Sequence, residues 1–433
     1  MASKNSLKLE KLVTEIIKKQ PKLVDYNLTR LKVILSRLGS PQFGLQNIIH
    51  VAGTNGKGST IATLKTLLRG HGYSVNSFTS PHLIKPNERI NINDVDISDE
   101  KLREFLLNII EVKDKVPLSY FEILTCLCFI AFKKNSSDFN LIEVGLGGKK
   151  DATNVIDQPI ACLITPISLD HKEFLGDELT TIASEKAGII KQNVPVFLGK
   201  QKECVADIIK ERAASLGCPL YEHGKDWRIK KLSRSYFCEI QDNQISLESR
   251  SLQGNYQLEN SALALGTMYY LKLLNTTVAQ KSLKKVVWPG RFQYLKKGPL
   301  YDLSKVGNIK NEIIIDGAHN PGGAEALSEE IKKTGWKNVY LILAMQRNKD
   351  LKGFVNKFTG LIKKIYFIDA AYDNFYTYSE ANTALSILGL KIEPSVSANS
   401  AITALNHENL ASSAVILITG SLHLVGDILE RNS

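Results

Sequence analysis

The chain is 433 residues long and carries 55 Lys and Arg against 44 Asp and Glu, a formal net charge of +11. Its 43% hydrophobic and 23% charged residues are those of a globular protein, which excludes a disordered, collagenous or fibrous chain and allows two or three domains. The longest apolar stretch, Leu124–Phe132, falls far short of the ~20 residues of a membrane helix, so no membrane partner is expected.

The N-terminal segment MASKNSLKLEKL has no continuous apolar run and predicts no secretory signal. Residues 1–50 hold nine Lys/Arg and three Asp/Glu, over half of the net charge. These charges are scattered through a helical pattern without interleaved aromatics, which reads as a solvated helix face and predicts no nucleic-acid partner. From about residue 46 short β-rich runs alternate with amphipathic segments, the pattern of βαβ units on a parallel sheet. Strands are predicted at Asn47–Ala52, Ser74–Phe78, Asn140–Val144, Ala161–Thr165 and Val194–Leu198, then at Glu312–Ile315, Val339–Leu343, Lys364–Ile368 and Ala414–Ile418. Helices are predicted at Gly58–Arg69, Gly322–Lys333 and Ser397–Asn406, with a short β excursion within residues 223–253. The regular pattern lapses between Trp288 and Ile313, where Lys-Lys-Gly-Pro and Gly-Asn supply linker chemistry. This places an N-terminal domain at 1–294, a linker at 295–311 and a C-terminal domain at 312–433. The six cysteines (126, 128, 162, 204, 218 and 238) sit mostly in apolar runs, and Cys126-x-Cys128 has neither zinc nor thioredoxin spacing. They read as buried thiols of a cytoplasmic protein.

The first chemical signal is Val51–Thr60 (VAGTNGKGST), which follows a predicted strand and opens a predicted helix, as a phosphate loop requires. Its glycines let backbone N–H groups approach phosphate oxygens, the helix N-terminus adds its positive end, and Lys57 reaches toward the β and γ phosphates. Gly53, Thr54, Asn55, Gly56, Lys57, Gly58 and Ser59 are therefore the candidate ATP contacts. Standard Walker spacing is not met, because Val51 stands where the first Gly belongs and Gly58 separates Lys57 from Ser59. On this loop alone a plain glycine-rich turn is the alternative.

Other segments follow in order: Thr79–Leu83 (TSPHL), Glu143–Gly148 (EVGLGG) with Asp151–Asn154 (DATN), Leu169–His171 with Phe174–Asp177, and Ser184–Ile189. Gly254–Asn260 (GNYQLEN), Trp288–Arg291, Asp316–Pro321 (DGAHNP) and Thr419–Gly426 complete the series. With the GTNGKGS loop they resemble the folylpolyglutamate synthase/dihydrofolate synthase family of the Mur ligase superfamily, over nearly the whole chain. The resemblance implies an α/β fold, with a P-loop-type parallel-sheet ATPase domain followed by a smaller Rossmann-like α/β domain and ATP held between the two. It implies an ATP-dependent ligase that adds L-glutamate to dihydropteroate and to the γ-carboxylate of folylpolyglutamates through an acyl phosphate, acting as a monomer; a folylpolyglutamate synthase only, or another Mur-type amide ligase, is the alternative.

Glu143 ends a predicted strand, His171 lies just past another and Ser80 sits in a Ser-Pro turn, all at the carboxyl edge where α/β sites form. A hydroxyl, a carboxylate and an imidazole leave room for waters and phosphate oxygens on Mg²⁺, and the resemblance assigns these three to the metal. Taken singly they would read as a turn residue, a strand-end carboxylate and a helix cap. The resemblance further implies that Lys186 is carbamylated, that Asn260, Arg291 and Asp316 contact ATP, and that His319 and Ser421 lie near glutamate and the reaction centre. Tyr26–Leu31, with Leu28, Thr29 and Arg30, occupies the place of the pterin loop, and Phe121, Asp151, Ala152 and Thr153 would line the same pocket; Phe121 reads equally as core.

Two departures stand out. An expected Asp-Lys-Asp survives only as Lys349-Asp350, and a late Gly-Ser-Leu-Tyr appears as Gly420–His423. A peptidoglycan-type ligase would carry a preceding uridine-nucleotide domain, a motor ATPase would carry standard Walker spacing, and a nucleic-acid module would need a denser basic patch.

Overall fold

The computed structural model describes residues 27–233, 235–248, 250–305, 311–369, 374–408 and 414–432. Tyr26 and most of the basic N-terminal segment lie outside them. The described chain divides into two compact units. The first holds residues up to 167, 178–251 and 258–286, and the second holds 168–177, 252–257 and the chain from 287 onward.

In the first unit the strands are β1 (Ile48–Ala52), β2 (Val75–Phe78), β3 (Ile90–Ile92), β4 (Val95–Asp96), β5 (Phe139–Glu143), β6 (Ala161–Ile164), β7 (Val196–Leu198) and β8 (Leu220–Glu222). They form one sheet in the order β4-β3-β2-β5-β1-β6-β7-β8, parallel from β2 to β8, with β3 and β4 antiparallel. β1 is central, and all five of its residues are buried, as a strand with both faces covered must be. Helix Lys57–Gly70 buries Ile61, Leu64, Leu67 and Leu68 in one core, and helix Tyr120–Lys134 puts Phe129 and Phe132 into another. The latter starts where Ser119 and Glu122 bond reciprocally across its first turn. The predicted excursion is an antiparallel meander of β9 (Arg228–Leu232), β10 (Ser235–Ile240) and β11 (Asn243–Ser246).

The second unit contains β12 (Gln293–Tyr294), β13 (Glu312–Ile315), β14 (Val339–Leu343), β15 (Lys364–Ile368), β16 (Ile392–Ser395) and β17 (Val415–Thr419). Their order is β12-β13-β17-β14-β15-β16, parallel except for β12. Here the structure departs from the expected boundary. Gln293–Tyr294 pairs with β13, Leu295 and Leu300 are buried, and Pro299–Leu303 forms a helix. Residues 287–305 therefore pack as part of the second unit, and 306–310 of the expected linker lie outside the described residues. Of the strands that the sequence did not mark, β4 and β12 have two residues each, β3 and β8 have three that include Asn91 and Glu222, and β16 contains Glu393 and Pro394, so no apolar run announces them. Among the described residues no helix is long and apolar enough to cross a membrane. Of the cysteines, 126, 128, 162 and 238 are buried, Cys204 is exposed, and none is paired.

Candidate active site

β1 delivers the chain into the turn 53–56, and helix Lys57–Gly70 starts at once from Gly56, whose φ is +88°. The amides of Thr54 and Asn55 both donate to the Pro166 carbonyl, at 3.0 and 3.1 Å, which pins the loop to the end of β6. Two glycines are sterically obligatory. A Cβ on Gly53 (φ +144°) would lie 1.9 Å from Thr165 Oγ1, and one on Gly56 would lie 2.3 Å from Asn260 Oδ1. Gly56→Ala therefore meets both a left-handed backbone and a blocked space, at a cost of about 1–3 kcal/mol concentrated in the loop. ADP affinity by calorimetry is expected to fall at least about tenfold; unchanged affinity would contradict this reading.

Lys57 Nζ donates to the carbonyls of Gly53 (3.1 Å) and Thr54 (3.2 Å) and stands 3.7 Å from Glu143 Oε1. Glu143, buried at the end of β5, accepts from the Ser80 amide through Oε2 at 3.1 Å. The structure thus brings Ser80, Glu143 and Lys57 to one edge of the sheet. Lys186 is buried and donates from Nζ to the Gly53 carbonyl at 2.9 Å. Its helix is held against the Glu143–Gly148 loop, since a Cβ on Gly148 would lie 2.5 Å from the Glu185 carbonyl. Phe121 lies across Gly145, whose Cβ would come 2.3 Å from the ring, and is half-buried beside Phe78.

The Asp151–Asn154 turn is tied down on every side. Asp151 Oδ1 accepts from the Thr153 amide at 3.0 Å and from its hydroxyl, while Oδ2 accepts from the Leu146 amide at 2.8 Å. Asn154 Nδ2 donates to the carbonyls of Lys149 and Gly188 at 2.9 and 3.1 Å. His50, on β1, meets Thr153 Oγ1 through Nε2 at 2.8 Å. Arg30 has an architectural partner: it forks onto Glu122, with Nε 3.0 Å from Oε1 and Nη2 3.0 Å from Oε2, and fastens helix Thr29–Arg37 to the start of helix Tyr120–Lys134. Leu28 packs against the core, and Asn27 Oδ1 accepts from the amide and hydroxyl of Thr29.

The second unit gathers its own polar cluster. Lys349 Nζ donates to Asp170 Oδ1 at 2.6 Å and lies 3.4 Å from His171 Nε2. Asn320 Nδ2 donates to Asp170 Oδ2 at 3.0 Å, and His319 Nε2 is 3.7 Å away from the same oxygen. Burial pushes the Asp170 carboxyl up, but His319, Lys349 and His171 more than offset it and hold the group below the usual carboxylate range. Burial, then Lys349, lowers His319 to about 4, so its ring is neutral at physiological pH. Asp316 accepts three donors of its own unit: Tyr256 OH (2.6 Å), the Phe292 amide (2.8 Å) and the Ala318 amide (2.8 Å). Arg291 Nη1 donates to the Gly290 carbonyl, and Ser421 Oγ caps the last helix by accepting from the His423 amide at 3.1 Å.

Residues 300–431 match the model of the dihydrofolate synthetase C-terminal domain. A dihydrofolate synthetase of Saccharomyces cerevisiae is 35% identical over 76% of this chain and 78% of its own. The chain belongs to the dihydrofolate synthase/folylpolyglutamate synthase family. Escherichia coli FolC in complex with DHPP and ADP superposes with a TM-score of 0.84 at 26% identity, covering 98% of this chain and 97% of that one. A bifunctional folylpolyglutamate synthase/dihydrofolate synthase from Yersinia pestis, complexed with AMPPNP and a manganese ion, gives 0.81 at 26% identity with the same coverage.

Within this family member, Ser80 and Glu143 belong to the first unit and His171 to the second. Among the described residues no group of three His, Cys, Asp or Glu side chains is arranged to hold a metal ion by itself. Hard oxygen donors at a phosphate loop fit a cation that keeps several waters and takes the rest of its shell from phosphate, as Mg²⁺ does. Several contributors escaped the sequence reading. Arg89 is buried at 7% exposure, donates from Nε to His82 Nδ1 at 2.9 Å and covers the Tyr120 ring, with Glu143 among its charged neighbours. It lies in Asn87–Ile90, next to the Ser-Pro-His motif, but a buried Arg and an exposed one look alike in sequence. Tyr256 and Asn320 stand inside the GNYQLEN and DGAHNP segments and His50 inside the predicted strand Asn47–Ala52, with no role assigned to them by sequence.

Burial, and secondarily Lys191, lowers His50 to about 3 against 6.5 when unfolded. A folded-state pKa depressed in this way favours folding above pH 6.5, and that stability is lost as pH falls toward 3. Between pH 7 and pH 5 the proton taken up by the unfolded chain costs about 2 kcal/mol. Urea unfolding at the two pH values is expected to show this loss, and His50→Phe is expected to flatten it; an equal slope in both proteins would refute the assignment.

Proposed function

We propose that this chain is an ATP-dependent ligase that joins L-glutamate to the carboxylate of dihydropteroate and to the γ-carboxylate of reduced, glutamylated folates. The observation that carries the reading is the Lys57 ammonium set between the loop carbonyls and the Glu143 carboxylate at the edge of a parallel sheet. Loop amides and Lys57 hold the triphosphate and offset charge on the transferring phosphoryl group. The substrate carboxylate attacks the γ-phosphorus, giving an acyl phosphate and ADP. The glutamate amine then attacks the acyl carbon and releases phosphate. Phosphorylation is required because a carboxylate is a poor electrophile toward an amine.

Ser80 and Glu143 are the proposed magnesium ligands, and His171 is carried with them on its motif. The bound cation would supply charge neutralisation for phosphoryl transfer. Lys186, buried at 5% exposure, is proposed to be carbamylated by CO₂; an unmodified intact mass together with a density map showing a plain amine would reject this. Asn260, Arg291 and Asp316 are assigned to ATP, His319 and Ser421 to the glutamate side. Leu28, Thr29, Arg30, Phe121, Asp151, Ala152 and Thr153 are assigned to the pteridine side, Arg30 through its anchoring of the helix. We further propose a cytoplasmic monomer that acts without nucleic acid.

The test is glutamate- and Mg²⁺-dependent ADP release with dihydropteroate and, separately, a reduced monoglutamyl folate, with products weighed by mass spectrometry. Turnover with both supports the bifunctional ligase. A narrower reading, dihydrofolate synthesis alone, is favoured by the C-terminal family model and the yeast relative. It predicts turnover with dihydropteroate only. Silence with both substrates in a folded, ATP-binding protein would overturn the folate assignment.

A further inference from the structure

We propose that His50 is a positioning residue for the substrate loop, donating through Nε2–H to Thr153 so that the Thr153 hydroxyl is committed to Asp151 and the 146–153 turn is fixed. His50 stands in a strand whose other members, Ile48, Ile49, Val51 and Ala52, are all apolar, and it is fully buried there. The directions of the hydrogen bonds follow from proton counting. Burial raises the Asp151 carboxyl, while its hydrogen-bond donors favour the ionised form. An ionised Asp151 has no proton to give, so the single hydroxyl proton of Thr153 goes to Oδ1. The Thr153 oxygen, 2.8 Å from His50 Nε2, must then accept, which fixes the ring as the Nε2–H tautomer. Nδ1 is left as a bare acceptor with no hydrogen-bond partner among the described residues. An orphaned buried nitrogen is a cost that an aromatic hydrocarbon of similar size would avoid. What the ring supplies at this position is its one donor.

The same carboxylate also receives the amides of Thr153 and Leu146, so the chain from His50 ends on the group that organises the whole turn. Because His50 lies three residues before Gly53, one strand carries both the phosphate loop and the prop under the turn. Without the imidazole donor the Thr153 hydroxyl is free to rotate away, and Asp151 loses a charge-stabilising partner. The inference rests on the assignment of Asp151–Thr153 to the pteridine side of the pocket, and its test separates the two.

The experiment compares His50→Phe, His50→Gln and Thr153→Val in the full-length chain. His50→Phe is expected to raise KM for the pteroate or folate substrate about tenfold, with KM for ATP within about twofold of the parent. His50→Gln, which returns an amide N–H, should recover most of the loss at a similar melting midpoint. In the Thr153→Val background His50→Phe should add nothing further. Parallel rises in both KM values, or independent multiplication of the two substitutions, would overturn the proposal. Should His50→Phe not fold, histidine side-chain ¹⁵N NMR of the unsubstituted protein decides the matter: Nε2–H supports the relay and Nδ1–H overturns it. That reading holds even if no folate proves to be a substrate, in which case only the functional assignment falls.

Discussion

Replacing Lys57 with Met is expected to lower the rate of glutamate-dependent ADP release about 10³-fold in protein that still folds. The methionine preserves the unbranched stem, so helix Lys57–Gly70 keeps its packing, and what disappears is the point charge between the loop and Glu143. That charge is 85% covered, with its ammonium 3.1 and 3.2 Å from two loop carbonyls and 3.7 Å from the carboxylate. In so enclosed a place an ammonium acts on developing phosphoryl charge with little water to screen it. Lys57→Arg is not expected to rescue, because a planar fork cannot occupy the position of a compact ammonium inside a tight turn. Steady-state kinetics at saturating ATP provide the check. Activity within about tenfold of the parent would remove Lys57 from the chemistry.

The largest loss of stability is expected from Lys349→Met. Lys349 and Asp170 have side-chain exposures of 6% and 7% and meet at 2.6 Å. Removing the ammonium leaves a buried carboxylate that still accepts from Asn320 Nδ2 and the His171 amide, at 3.0 and 2.8 Å. Breaking one side of such a pair costs about 3–5 kcal/mol, because the surviving charge stays in a poorly solvating place. Adding Asp170→Asn should recover most of it, since an amide carries no charge to strand. Denaturant titration of the single and double variants measures both. A single-variant loss below about 1 kcal/mol would mean that water reaches Asp170 once Lys349 is gone.

Strands such as Glu312–Ile315, Val339–Leu343 and Lys364–Ile368 coincide with their predicted spans because each is a short, largely apolar run between helical segments. The phosphate loop was legible because Gly53 and Gly56 tolerate no side chain, a constraint that sequence displays directly. The boundary was not, because the Lys-Lys-Gly-Pro turn follows a strand of only two residues whose pairing partner, β13, lies some twenty residues downstream. Arg30 pointed to substrate by its position in a motif, yet its fork engages Glu122, and nothing in either residue type announces a contact 92 positions apart. Asp170 and Lys349 were visible only as fragments of separate motifs, and distance in sequence hid a single ion pair.

The assignment of segments 168–177 and 252–257 to the second unit bears on how this chain can be divided. The partners of Lys349 and Asp316 are Asp170 and Tyr256, which a fragment beginning at residue 287 does not contain. Such a fragment would carry a stranded ammonium and an under-donated carboxylate in its interior, although it includes every strand of its sheet. The stretch that matches the family model, 300–431, is consequently not expected to fold as a complete unit by itself. Two loops lent from earlier in the polypeptide make the second half dependent on the first for its own completeness, so exchange of the C-terminal half between relatives must carry those loops with it.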